Sequence, residues 1–219
     1  NDNKLSKKCK NVVHCVFDCS EPHGNVYSSI APWVKYNNGK YPFVPHIINL
    51  PSHKENMRDK LNIPIDAIVL GRYGGYYHFD IPYVQEVIVE YASSNPNTYF
   101  IFVNTKPFCR GLSNIIHLDK IIDLYDKVLF INTCDAMIHG RSDGEVFPLS
   151  IGEFSTCNKP IITTKSVIDN GHLELLGDKA IIYNNKEELL DIFSNFYHNI
   201  SIRTDWNAYT EYTPEKVMK

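Results

Sequence analysis

Residues 135–164 read DAMIHGRSDGEVFPLSIGEFSTCNKPIITT. Ala136-Met137-Ile138 is an apolar run too brief for a helix and typical of a buried strand. His139 to Gly144 is polar and glycine-rich, as loops are. Pro148 suits a first helical position, with Leu149, Ile151 and Phe154 as the apolar positions behind it. Pro160-Ile161-Ile162-Thr163 is again a buried-strand signature. The stretch is therefore strand, loop, helix, strand. Such a unit sets a loop and a helix N-terminus at the carboxyl edge of a parallel sheet, where α/β proteins bind ligands.

The pattern repeats on both sides. Ala67–Leu70 is a strand ending in Gly71-Arg72-Tyr73-Gly74-Gly75, and a helix opens at Pro82 and runs to Ser93. Thr98–Asn104 reads as a fully buried strand, of the kind found in parallel sheets covered on both faces. Ile115–Leu118 is a short strand and Ile121–Thr133 a helix. A helix over 170–177, a strand over 180–183 and an amphipathic helix over 186–199 follow. The fold class is thus α/β, a Rossmann-like doubly wound parallel sheet.

Upstream, Asn11–Asp18 reads as a strand, and 26–36 as a helix closed by Asn37-Asn38-Gly39. Tyr41–Pro51 holds three prolines and has the composition of a linker. Ser52 and Glu55 form a capping box, which predicts a helix from about His53 to Leu61. Thr213-Pro214 opens a last helix, with Thr as its cap.

The bulk composition is that of a soluble globular chain: 219 residues, 43% hydrophobic and 21% charged. That length suits one α/β domain with an extension. A net charge of −3 gives no global field for nucleic acid or an anionic membrane. There is no apolar run of about 18 residues to span a membrane, and the polar N-terminus is no signal peptide. Cys9, Cys15 and Cys19 with His23 form a zinc cluster on paper. Cys15, however, alternates within an apolar strand, as a buried small residue does. The expectation is a reduced, cytoplasmic protein.

Glu145 and Glu153 frame the central unit with seven residues between them. EVFPLSIGEFSTCNKPII resembles the donor-site segment of retaining GT-B glycosyltransferases of family four, with Glu145, Phe147, Glu153, Lys159 and Pro160 on the pattern. Pro148 stands where that family has Gly. Gly71-Arg72 and the glycine turn are similar to a second family segment. Relatives place a lysine about five residues after that arginine, but here the position is Tyr77, followed by His78. Arg141 or Lys106 is then the candidate for the lost charge.

The resemblance covers roughly residues 41–219 and implies the donor-binding C-terminal half of a GT-B fold. Residues 1–44 would be a remnant of the acceptor-side domain with the linker, 45–205 the nucleotide-sugar domain, and 206–219 the crossover helix region. It implies that Arg72, Gly74, Gly75 and the amides of Val146 and Phe147 hold the donor diphosphate. Thr105 and Lys106 lie where relatives contact the donor nucleotide, and His139 and Arg141 stand just before the loop. Glu153 would meet the ribose, and Glu145 the sugar, as a catalytic positioning residue. The activity implied is hexosyl or other glycosyl transfer with retention, without metal or cofactor. A nucleoside diphosphate sugar is the co-substrate, and a glycan, lipid or protein the acceptor.

Other readings of these residues stay open. His139 also reads as a buried strand-end histidine, and Arg141 as a surface ion pair with Asp143. A non-catalytic sugar-nucleotide binding or scaffold module is a second function, favoured by Tyr77. A glycosidase using Glu145 and Glu153 is a third, opposed by the β-α architecture around Glu153.

Overall fold

The computed structural model describes residues 5–219. Val12–Cys15 (β1) and Val26–Ser29 (β2) pair in parallel as a small separate sheet. The main sheet begins with Ile68–Tyr73 (β3), followed by Pro82–Ser94 (α1), Thr98–Val103 (β4), Ile115–Leu118 (β5) and Leu124–Thr133 (α2). Ala136–Ile138 (β6), Leu149–Thr156 (α3), Ile161–Thr163 (β7), Gly171–Leu176 (α4) and Ala180–Ile182 (β8) complete it. Lys186–Ser194 (α5), Phe196–Ser201 (α6) and Pro214–Val217 (α7) close the chain.

The six strands lie in the order β5-β4-β3-β6-β7-β8, every pair parallel. Alternate residues of the sheet feed two cores. Val69, Ile101, Val103, Met137 and Ile161 face α2 and α3, where Phe130, Ile151 and Phe154 meet them. Leu70, Phe100, Phe102, Ile138 and Ile162 face α1 and α5, against Val84, Val87, Ile88 and Leu189. The order runs outward from β3 to one edge, then returns to β6 on the other side. A crevice therefore opens between the loops after β3 and β6, at the topological switch point.

Five expectations fail, the first two for reasons visible in the local and tertiary hydrogen bonds. Residues 26–36 begin as strand β2 and continue as turns, because Pro32 interrupts any helix there. Ser29 and Asn37 side chains also bond locally, Ser29 Oγ to Ala31 O at 2.9 Å and Asn37 Nδ2 to Ser29 Oγ at 2.9 Å. The capping-box helix over 53–61 is reduced to turns at 57–62. Tertiary bonds hold that stretch open: Asn132 Nδ2 donates to His53 O and Glu55 O, and Met57 N–H to Thr133 Oγ1. Arg58 forks onto both Asp135 oxygens at 3.1 and 2.9 Å. The helix over 186–199 is broken at Asn195 into α5 and α6. Thr213 precedes α7 without a side-chain cap bond, and Pro148 is the N-cap of α3, one place earlier than its expected position.

The C-terminal stretch braces the central unit. Tyr209 is fully buried, its hydroxyl donating to Pro148 O at 3.3 Å, while Ser155 Oγ donates to Trp206 O at 3.1 Å. Ile48 N–H donates to Tyr212 O, so the proline-rich segment and the C-terminal stretch run together. No helix among the described residues is long and apolar enough to cross a membrane.

Candidate functional site

At the switch point lies a cavity of about 400 Å³. The β3 side supplies Tyr73, Gly74, Gly75 and His78, and the β6 side Arg141, Gly144, Glu145, Val146 and Phe147. The start of α3 adds Leu149 and Ser150, and Val16, Phe17 and His46 wall it from the N-terminal segment. A larger hollow of about 520 Å³ sits by Thr156 and Cys157 at the far end of α3. Its lining is mostly amides and hydroxyls and lies at the amino edge of the sheet, away from the switch point.

Arg72 leaves the end of β3 but does not line the cavity. It is 4% exposed. Its Nη1 donates to Thr105 Oγ1 at 2.6 Å and Asn104 O at 3.3 Å, and its Nη2 to Gly75 O at 2.9 Å. Burial brings the guanidinium down to about 10, with Glu145 opposing and Arg141 reinforcing the shift. Arg72 therefore braces the loops after β3 and β4 and places its charge just beneath the cleft. Gly74 and Gly75 leave room for two neighbouring side chains, Arg72 and His78. A Cβ on Gly74 would stand 2.8 Å from Arg72 Nη2, and one on Gly75 2.5 Å from His78 Nδ1.

Gly144 sets the second loop. Its φ is +65°, and a Cβ there would stand 1.7 Å from Asp169 O. Asp169 N–H donates to Asp143 O at 3.0 Å, and Asp80 takes both Ser142 N–H and Ser142 Oγ. The loops after β3, β6 and β7 are thus laced together around the cavity.

Glu145 stands 3.6 Å from His139 Nε2 and 3.7 Å from Arg141 Nη1. Burial pushes its carboxyl up, but His139, Arg141 and His172 outweigh that and hold it below its usual range. It is an ionised group at the cleft floor. Arg141 pairs with Glu145 and not with Asp143. His139 is 4% exposed, with Nδ1 2.8 Å from Thr163 Oγ1. His172 packs beside it at 5.1 Å, and burial with His139 pushes it down to about 4. His172 is therefore neutral near pH 7.

The N-terminus of α3 opens on the same cavity, and no side chain caps it. Its first amides and dipole favour an anion there. Val146 and Phe147 are buried, Val146 O accepting from Trp33 Nε1 at 2.8 Å and Phe147 meeting His46 edge-to-face at 5.5 Å.

Glu153 does not reach the cleft. Lys127 Nζ donates to its Oε1 at 2.7 Å, and Oε2 is buried without a hydrogen bond. Burial raises its carboxyl although Lys127 opposes this. Lys127 also sits over the Tyr73 ring at 5.0 Å. Thr105 is buried and serves Arg72. Lys106 lies outside the cavity, its ammonium 5.8 Å from the Tyr77 ring. The structure thus gathers Gly74, Gly75, Arg141, Glu145, Val146 and Phe147 in the cleft, with His139 behind Glu145, and leaves Arg72, Thr105, Lys106 and Glu153 around it. Sequence reasoning missed Lys127, His172, Trp33 and His46. None carries a local signal, since each acts through a contact distant in the chain.

The six cysteines are free, and burial pushes the Cys19 thiol up to about 11. Among the described residues no group of three His, Cys, Asp or Glu side chains stands together in metal-ligating geometry.

No protein-family model matches the chain, and no curated protein matches it by sequence. Solved structures do. Anabaena Alr3699/HepE in complex with UDP and glucose superposes with a TM-score of 0.66 at 15% identity, over 88% of this chain and 60% of that one. WaaG, a glycosyltransferase involved in lipopolysaccharide biosynthesis, gives 0.65 at 15% identity over 90% and 61%. TarM gives 0.60 at 11% identity over 89% and 42%. The fold is the Rossmann-like α/β fold present in these GT-B glycosyltransferases, and the chain spans between 42% and 61% of their lengths.

Proposed function

We propose that the cleft binds a nucleoside diphosphate sugar and that the chain is the donor-side half of a retaining glycosyltransferase. One observation carries this reading. An ionised Glu145, flanked by His139 and Arg141, meets the uncapped N-terminus of α3 and the glycine turn in one cavity at the switch point. A sugar diphosphate asks for that combination. The diphosphate takes Arg141, the α3 amides and the field of Arg72, and a sugar hydroxyl donates to Glu145. In support, HepE has been solved with UDP-glucose.

In the transfer so proposed, Arg141 and α3 stabilise charge on the leaving phosphate. Glu145 positions the sugar ring, and a donor phosphate oxygen takes the acceptor's proton. Val16, Phe17 and His46 begin the opposite wall of the cleft. Protein charges meet the phosphate in this reading, so titrations with and without EDTA belong in the test. Calorimetric titration with UDP, UDP-glucose and their guanosine counterparts should yield heat for at least one pair in both conditions. Absence of heat with all of them overturns the proposal.

One observation favours a second reading, a binding module without transfer. Arg72 is spent on its own loops and Tyr77 replaces the family lysine, so Arg141 is the cation lining the cleft. Donor binding without donor hydrolysis or transfer, in a chain extended to both walls of the cleft, would select it.

A further inference from the structure

The departure from the family pattern at Tyr77 and the stray Lys106 belong to one surface feature. The loop that shows Gly74 and Gly75 to the cleft turns Tyr76 and Tyr77 outward, 44% and 69% exposed, their rings edge-to-face at 4.9 Å. Lys106 N–H donates to Tyr76 O at 2.8 Å, which fastens the loop after β4 against them. Two hollows result, sharing Lys106, Pro107 and Phe108. One of about 540 Å³ adds Tyr76, Cys109 and Arg110, and one of about 480 Å³ adds Tyr77, Phe79 and Asp80. Phe108 gives them a fixed floor, packed on Phe102 at 4.9 Å and Phe79 at 5.8 Å.

The charges around the hollows are unequal. Lys106 and Arg110 make no ion pair among the described residues, and Lys106 stands over the Tyr77 ring. Asp80 is the carboxylate of the second hollow, and Ser142 occupies both its oxygens at 2.8 and 2.7 Å. Two exposed tyrosine rings, one with Lys106 over it, beside two cations without an ion pair among the described residues suit a ligand with flat apolar faces and an anionic group. The anion belongs on the Arg110 side, away from Asp80.

We propose that Tyr76, Tyr77, Lys106 and Arg110 form a binding site for an anionic oligosaccharide, with one sugar ring in each hollow and a phosphate or carboxylate at the two cations. The binding stands on the surface alone. Its role, holding an acceptor or product chain at the rim of the transfer cleft, rests on the function proposed above.

The test is titration of the chain with oligogalacturonate, a phosphorylated oligomannoside, neutral maltooligosaccharide and polyglutamate. At least one of the two anionic saccharides binds, and which one does identifies the anion. The neutral chain binds about tenfold more weakly and polyglutamate, charge without rings, does not bind. Tyr77→Ala and Lys106→Ala each weaken the saccharide about tenfold, Tyr77→Phe retains it, and UDP binding is unchanged in all three. No saccharide binding, polyglutamate binding as tightly as the saccharides, or loss of UDP binding in Lys106→Ala would each overturn the site. Saccharide binding without any nucleotide binding supports the site and refutes the donor cleft instead.

Discussion

Glu145 and Glu153 leave the same loop-and-helix unit, yet their surroundings are opposite. Glu145 faces the cleft with two long contacts, 3.6 Å to His139 and 3.7 Å to Arg141. Glu153 lies behind the helix, closed onto Lys127 at 2.7 Å, both side chains nearly buried. Neighbouring charge holds Glu145 below its usual range against burial, while burial raises Glu153 despite its lysine. A carboxylate with loose partners and open space is available to a ligand. One with a short buried partner is committed to the fold. Two glutamates of one loop-and-helix unit therefore do different work, and tertiary context assigns it.

The largest effect should come from breaking the committed pair. Lys127→Met leaves Glu153 buried and uncompensated, a loss of about 3–5 kcal/mol in urea unfolding. Adding Glu153→Gln to that variant should restore most of it, because no buried charge remains. If the single change costs under about 1 kcal/mol, the pair behaves like a surface bridge and the contrast with Glu145 collapses.

The open carboxylate is tested by ligand instead. Glu145→Gln should weaken the nucleoside diphosphate sugar by about 1–2 kcal/mol, the scale of one charged hydrogen bond, and leave the bare nucleoside diphosphate unchanged. Paired titrations read the difference. An equal response of both ligands would move the carboxylate from sugar to phosphate.

How much of this was legible depends on how local the cause is. Ile115–Leu118 and Ala136–Ile138 are strands to the residue, and for Ala136–Ile138 the cause is plain, since a buried parallel strand is written as a continuous apolar run. Parallel pairing, with the loops gathered at the carboxyl edge of the sheet, follows from the alternation of strands and helices, whereas the strand order that places the switch point between β3 and β6 comes only with the structure. Residues 53–61 carry a helix signal that fails, because Asn132 and Thr133 bond their backbone from across the chain. Arg72 was legible at the end of the strand before the glycine turn but not in its posture, since Thr105, Asn104 and Gly75 turn it inward. Lys127 carried no signal at all. A lysine inside a helix reads as solvated until the opposing carboxylate is seen.

Acid and base sides of the stability curve offer a smaller test. The folded-state value of Glu145 lies below the ordinary 4.5, so its contribution is complete above 4.5 and lost as pH falls through the folded value. The folded-state value of Glu153 lies above 4.5, so its contribution is complete below 4.5 and lost as pH rises through the folded value. Urea midpoints across an acid-to-neutral series should follow suit. Glu145→Gln flattens the fall on acidification, and Glu153→Gln flattens the fall on approaching neutrality. The same slope change in both variants would mean that the two carboxyls share one environment.

The smallest effect expected is that of Glu153→Gln on nucleotide binding. In the resemblance this residue meets the ribose, and a neutral amide would then weaken ribonucleotides by about 1–2 kcal/mol while sparing 2′,3′-dideoxyribonucleotides. The structure argues otherwise. Oε1 is taken by Lys127, Oε2 is buried, and the Tyr73 ring lies against the same lysine at the edge of the cleft. A ribose hydroxyl would have to displace that arrangement to reach the carboxylate. Both classes of nucleotide should therefore change by less than about threefold, within the scatter of one weak contact. Titration of UDP and its dideoxy analogue against the variant decides the matter. A selective loss of UDP would show that Lys127 yields its partner when donor binds, and Glu153 would then belong with Glu145 after all.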